Sequence, residues 1–395
     1  MKLDIFKYVS NQGLPNEWRV EECQLSQTNL IVGKNASGKS RILKAIYLLS
    51  QLLSGDKIEV QNDEWHLFFN IDQPEQKTEY ILKIERGLVV QEKLIIYRES
   101  DRPILERDES GEGTIFAKEL NTAIRFQTDR TEIAAVKRRD SIQHPFLEIL
   151  YQWSNSLRFY EFGTQLGQNF MTLMSYPPGQ VSKNKTQLKN YKYVVNIFQL
   201  GKQEIGDIFV ESIISDMKKI GYDLSKIGTK ISSTMNHEID ANDFDNLDGL
   251  PEFIYVKEED LNSVTEQPEI SQGMFRSLSL FIQINYSLLA IKPSCIVIDD
   301  IGEGLDFQRS AAMIKVLIEK AQTGLFQLIM TTNDEFIMNG VPIEYWSVIE
   351  RSAGKARLHN IYNSRDKIEE FKFIGLNNFD LFTSELLLEE VSNEG

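Results

Sequence analysis

The eight residues Gly33–Ser40, Gly-Lys-Asn-Ala-Ser-Gly-Lys-Ser, constrain this chain more than any other segment. Two glycines stand five apart, lysine and serine follow the second, and the loop lies between an apolar run, Asn29–Val32, and a periodic stretch. Ile42, Leu43, Ile46, Leu49 and Leu53 recur at helical spacing, which predicts a helix from about Lys39 to Leu53. Strand, glycine-bounded turn, helix is the order that turns backbone N–H groups and a helix N-terminus toward an anion. In that geometry Gly33 and Gly38 let the backbone approach a phosphate, Lys39 neutralises the β- and γ-phosphates of a nucleotide, and Ser40 offers a hydroxyl to Mg²⁺. The expected nucleotide-binding segment is therefore Gly33, Lys34, Asn35, Ala36, Ser37, Gly38, Lys39, Ser40 and Arg41.

A second segment, Cys295–Asp306, runs four apolar residues into adjacent carboxylates, Asp299 and Asp300, and then through glycines to further acids. Like charges side by side repel and desolvation penalises both, so a cation belongs there. The Mg²⁺ of a bound triphosphate supplies it: Asp299, ending a buried strand, would hold the metal, and Asp300 would face the attacking water.

The 395 residues are 42% hydrophobic, enough for a sizeable core in two or three domains or one large domain with an insertion. The longest apolar runs fall short of the roughly 20 residues that span a bilayer, and the N-terminus does not read as a secretory signal. Two distant cysteines, Cys23 and Cys295, fit a reducing cytoplasm better than a disulfide framework. A net charge of −15 disfavours a broad grip on nucleic acid, although Val136–Asp140 and Ser182–Tyr193 are locally basic.

Short strands are expected at Leu3–Tyr8 and Trp18–Leu25, and Glu64–Arg98 reads as an antiparallel β-layer. From Ser141 to Ile231 the pattern is mainly helical, and an acidic loop follows. Alternation then resumes: strands at Phe253–Val256, Ser294–Ile298 and Leu325–Thr331, helices at Gly273–Ala290 and Phe307–Ala321. Their continuous apolar strands point to a parallel sheet. The expected division is 1–140 and 247–365 as two parts of one α/β domain, 141–246 as a helical insertion, and 366–395 as an acidic helical tail.

These residues resemble those of the ABC-type ATPases, in the branch that includes RecF, Rad50, the SMC heads and bacterial AAA-family ATPases related to the OLD proteins. Gly33–Ser40 matches their Walker A, Ile270–Leu278 (Ile-Ser-Gln-Gly-Met-Phe-Arg-Ser-Leu) the signature motif, Val297–Asp300 Walker B, Glu303–Asp306 the D-loop and Thr331–Asp334 the switch region, in the family's order. Val89–Glu99 and Arg138–Leu150 are also similar to stand-alone bacterial ATPases, many linked to phage defence. The resemblance implies a P-loop fold of ABC-ATPase type, a mixed sheet with an antiparallel β-layer plus a helical insertion, using ATP and Mg²⁺. It also implies a head-to-head pair of chains, or a larger assembly, in which Ser271, Gln272 and Gly273 of one chain meet the nucleotide held by Lys39 of the other. Asp306 would be the D-loop acid, and Lys39, Asp300 and Asn333 the catalytic group. Three residues depart from the pattern: Asp300 stands where glutamate is usual, Asn333 where many members carry histidine, and Gln272 where glycine is usual. The shorter Asp300 implies slow hydrolysis unless the backbone compensates. No residue is assigned to the Q-loop glutamine.

The insertion lacks sustained heptads, which argues against a long coiled-coil arm. Fewer than seventy residues follow Asn333, too few for the nuclease domain of OLD-type relatives, so any cleavage would come from a partner. The function expected is a dimeric ATP-hydrolysing switch, a sensor or scaffold of a bacterial anti-phage defence system that signals to a separately encoded effector. Two alternatives stand beside it: a RecF-like DNA-repair ATPase, and a non-hydrolysing assembly module held together by ATP. A transporter subunit is set aside, since nothing marks a surface for a membrane partner.

Overall fold

The computed structural model describes residues 1–72, 75–97, 102–170, 172–174, 190–231, 250–374 and 377–384. Most of the acidic loop expected at 236–252, the helix expected over 385–395 and most of the basic stretch, 182–189, lie outside the described residues; the end of that loop, 250–252, is instead the start of a strand, Leu250–Glu258. The chain forms two compact units. One comprises Met1–Leu157, Ser294–Val297 and Ala321–Gly395; the other comprises Arg158–Pro293 and Ile298–Lys320.

In chain order the first strands are β1 (Lys2–Ser10), β2 (Trp18–Gln24), β3 (Thr28–Val32), β4 (Asn62–Asp72), β5 (Glu75–Glu85), β6 (Leu88–Ile96), β7 (Pro103–Arg107), β8 (Glu112–Ala117) and β9 (Thr122–Gln127). Next come β10 (Arg158–Glu161), β11 (Thr172–Met174), β12 (Leu224–Ile231), β13 (Leu250–Glu258) and β14 (Thr265–Glu266). The last are β15 (Cys295–Asp299), β16 (Gln327–Thr332), β17 (Trp346–Ser352) and β18 (Lys355–Asn360).

The first unit is built on a mixed sheet in the order β15-β16-β3-β17-β18-β2-β1-β4-β5-β6-β7-β8-β9. Its heart is β3, paired in parallel with β16 on one side and β17 on the other. Every residue of β3 and β16 is buried, as expected of strands that carry near-continuous apolar runs. Beyond β2 the pairing turns antiparallel, and Trp65, Leu67 and Phe69 of β4 alternate inward. Trp65 Nε1 donates to Ala45 O at 3.0 Å, tying the β-layer to the Lys39–Leu53 helix, which has the limits the periodicity predicts. Three further strands, β7–β9, extend the layer past Arg98. They are short and cut by polar turns, so their alternation is too brief to register in sequence. Cys23 and Cys295 are both free and buried.

The stretch Ser141–Ile231 carries the helices expected of it, Pro145–Ser156 in the first unit and Val194–Glu204 and Asp207–Lys219 in the second, and short strands beside them that its periodicity does not predict. In the second unit the helices accompany strands β10, β11 and β12, and β13 pairs antiparallel with β11, β12 and β14. The partner of β12 lies across residues 232–249, and such non-local pairing leaves no local signature. The helix Gln272–Tyr286 continues as a π-turn through Ile291. This stretch, Gln272–Ile291, is the one described helix long and apolar enough to cross a membrane, but 72% of its apolar window is buried inside the fold.

A buried polar cluster joins three helices of this unit. Asp216 Oδ2 lies 2.8 Å from Lys320 Nζ and accepts from Asn285 Nδ2 at 2.8 Å, while Lys320 Nζ also donates to Asn285 Oδ1 at 3.1 Å. Asp216→Ala would remove the buried carboxylate that Lys320 and Asn285 share, a loss of about 3 kcal/mol. Asp216→Ala should therefore lower the thermal midpoint by roughly 2–4 °C for each kcal/mol lost, read by calorimetry. An unchanged midpoint would contradict the cluster's role.

Candidate nucleotide site

The loop that follows β3 lies wholly in the first unit. Val32 pairs with Thr332 on one side and Val348 on the other, so the chain leaves the sheet between two parallel neighbours. At Gly33 a Cβ would fall 2.1 Å from Ile349 Cγ2 and 2.8 Å from Ser37 Oγ, a crowding that only glycine tolerates. Ala36 (φ 60°) and Gly38 (φ 109°) turn the loop through the left-handed region, and the Ser37 N–H donates to Lys34 O at 3.2 Å. Gly38 rests on an indole, with its Cβ position 3.0 Å from Trp18 Cζ2.

Lys39 opens the helix and folds back over the loop. Its side chain is buried, and Nζ donates to Gly33 O at 2.8 Å and Lys34 O at 3.3 Å. An ammonium is thus held beside the helix N-terminus, whose backbone N–H groups carry partial positive charge of their own. Arg351 on β17 donates to Ala36 O and clasps the loop from outside. Ser37 Oγ is buried with no hydrogen-bond partner, a donor suited to a phosphate oxygen. Ser40 is half-buried in the first turn.

Asn333 emerges, exposed, at the end of β16, one residue after the Thr332–Val32 pair and therefore at the same end of the sheet as Gly33. Its neighbour Asp334 has a structural task. Asp334 Oδ1 accepts from the N–H groups of Phe336 at 2.8 Å and Ile337 at 3.0 Å, capping the Glu335–Gly340 helix.

The second unit holds the remaining predicted residues. Asp299 ends β15 and is buried, and its carbonyl accepts from the Phe162 N–H at 2.9 Å. Asp300 is half-buried in the left-handed region (φ 51°), which aspartate tolerates better than most residues. Sequence reasoning missed the neighbour of this pair. A Cβ on Gly163 would lie 2.3 Å from Glu303 Oε2 and 3.5 Å from Asp300 Cβ, so the glycine leaves room for the Glu303 carboxylate beside Asp300. Only the folded backbone brings Gly163 there.

Ser271 caps the Gln272–Tyr286 helix, its Oγ accepting from the Met274 N–H at 3.4 Å. Ser271 and Gln272 are exposed, and Gly273 backs onto Gly304, whose carbonyl would sit 3.0 Å from an added Cβ. One turn on, Arg276 donates to Glu303 O at 2.8 Å and Gly163 O at 3.4 Å, joining the signature helix to the acidic turn. Asp306 accepts from the Arg309 N–H at 3.0 Å and from its guanidinium; these bonds hold its carboxyl below the usual carboxylate range. The approach to Ser271 is pinned by Gln267, fully buried, which donates to Gln168 O at 2.8 Å and Phe170 O at 3.0 Å.

The basic stretch Val136–Asp140 is engaged locally. Arg138 donates to Gln127 O and lies over the Phe126 ring, Arg139 stacks 3.5 Å from the Tyr151 centroid and pairs with Glu148, and Lys137 pairs with Glu132.

A family model described as "AAA domain, putative AbiEii toxin, Type IV TA system" matches residues 28–339, from the first residue of β3 past Asn333. No curated protein matches the chain. Among solved structures the chain is similar to an SMC head bound to the C-winged helix domain of ScpA, with a TM-score of 0.49 and 13% identity over 91% of this chain and 97% of that one. The SMC head domain from Thermotoga maritima gives 0.44 and 14% over 91% and 98%. The Pyrococcus furiosus SMC head with an extended coiled coil, bound to the C-terminal domain of ScpA, gives 0.49 and 11% over 94% and 99%.

Crowding at Gly33 can be tested directly. Gly33→Ala should weaken binding of a fluorescent ATP analogue at least about tenfold, since overpacking costs on the order of 1–3 kcal/mol. Ile349→Ala in the same chain, by removing the Cγ2 that the new methyl meets, should restore much of the loss.

Proposed function

Because the chain belongs to the AAA-domain family whose model spans residues 28–339, we propose that it binds ATP in the Gly33–Ser40 loop, hydrolyses it, and pairs with a second copy through it. The observation that carries this reading is the buried Lys39 ammonium, folded onto Gly33 O and Lys34 O beside a helix N-terminus. The donor set fits a magnesium–nucleotide complex. The hydroxyl of Ser40 and the carboxylate of Asp299 are hard oxygen ligands, and Mg²⁺ takes one or two such groups with phosphates and water completing its shell.

In this reading Mg²⁺ neutralises charge on the triphosphate, and the chain's own groups position the reactants. Lys39 binds the β- and γ-phosphates, Asn333 hydrogen-bonds the γ-phosphate, and Asp300 accepts a proton from the attacking water. Ser271, Gln272 and Gly273, exposed at a helix N-terminus, would meet the nucleotide of the partner copy, with Asp306 beside them. ATP then favours the closed pair, and loss of the γ-phosphate releases it. The family's description names a toxin of a type IV toxin–antitoxin system, which supports a defence setting; that a separately encoded effector reads the switch is part of the same proposal. The local engagement of Lys137, Arg138 and Arg139 favours this reading over a DNA-binding one.

Lys39→Ala and Ser271→Arg should each abolish phosphate release, the first by losing nucleotide and the second by blocking the partner's approach. Mixing the two variants should restore activity, because one of the two sites in the mixed pair keeps both an intact Lys39 and an intact Ser271. No recovery on mixing would contradict a shared site. Asp300→Asn should stop turnover while leaving ATP affinity within about twofold, and Asp300→Glu should raise kcat if side-chain length restrains the native enzyme.

A further inference from the structure

Lys39 and Arg41 stand two residues apart, and so about 200° apart around the helix. Lys39 folds back onto the loop, whereas Arg41 is exposed and lies on an aromatic ring, its guanidinium carbon 4.3 Å from the Trp18 centroid. That ring is held from every side the structure describes. Trp18 is 2% exposed, Gly38 packs against its six-membered ring, and the edge of Tyr8 meets it at 6.0 Å and 67°. Tyr8 is itself tied through its hydroxyl to Asp63. A planar cation thereby lies over a rigid aromatic plate in the first turn of the helix, on a residue exposed to solvent.

We propose that the outer face of Arg41 is the stacking surface for the nucleobase, so that the chain selects purine nucleoside triphosphates by stacking area instead of by hydrogen bonds to the base edge. The inference rests on the nucleotide-binding reading above and adds to it how the base is held. Guanidinium and base are both flat π-systems, and an arginine backed by an aromatic ring loses little freedom when a base covers it. Stacking of this kind is sequence-tolerant because every base has a π-face, and the larger purines gain more from it. GTP is therefore accepted nearly as well as ATP, and CTP less well.

The test is calorimetric titration of the full chain with magnesium complexes of ATP, GTP, CTP and inorganic tripolyphosphate, which has the charges but no base. Arg41→Lys keeps the charge and loses the plane; Arg41→Ala loses both. Both variants should bind ATP and GTP about tenfold more weakly than the native chain, lose the preference over CTP, and hold tripolyphosphate within about twofold. Native-like ATP affinity in Arg41→Lys would overturn the proposal in favour of a charge contact, as would a parallel loss of ATP and tripolyphosphate in both variants. Equal native affinity for ATP and tripolyphosphate would overturn it while leaving phosphate binding intact. Failure of the native chain to bind any of the four would remove the nucleotide reading and this proposal together.

Discussion

Burying an ammonium is costly unless the fold surrounds it with oxygen, and the first unit is arranged around that cost at Lys39. The carbonyls of Gly33 and Lys34 meet Nζ only because the loop closes tightly, and it closes tightly because Gly33 and Gly38 carry no side chain where Ile349 and Trp18 press in. The loop in turn is placed by β3, locked between β16 and β17. Gly33 O and Lys34 O accept from the ammonium, and the helix N-terminus beside it adds positive potential where a phosphate would lie.

The second unit solves a related problem for acids. Asp299 and Asp300 follow one another at the end of a buried strand, and Glu303 brings a third carboxylate over Gly163. Arg276 grips the backbone carbonyls of Glu303 and Gly163 and so fixes the turn that carries these acids. The Asp216–Asn285–Lys320 cluster then binds the helix begun by Ser271 to the helix begun near Asp306.

Much of the core was legible because its signals are local. A continuous apolar run gave β3, periodic leucines and isoleucines gave the Lys39–Leu53 helix with its observed limits, and Cys295–Ile298 announced a buried strand. What escaped depends on distant partners. The strands β17 and β18 carry charged residues amid their apolar ones, and β12 finds β13 only across a long intervening segment. At the site, Lys39, Ser40 and the aspartates could be named from motif and order alone. Trp18 beneath Arg41, Arg351 on Ala36 O and Gly163 beside Glu303 could not, since each contact joins residues far apart in the chain.

The central claim is that two copies of the chain share each bound triphosphate. A structure of the Asp300→Asn chain with magnesium and ATP tests it most directly. The account predicts a twofold pair in which the γ-phosphate touches Lys39 of one copy and Ser271 of the other. A single copy that encloses the nucleotide with its own Ser271, or a loop at Gly33–Ser40 that holds no phosphate at saturating ATP, would contradict it.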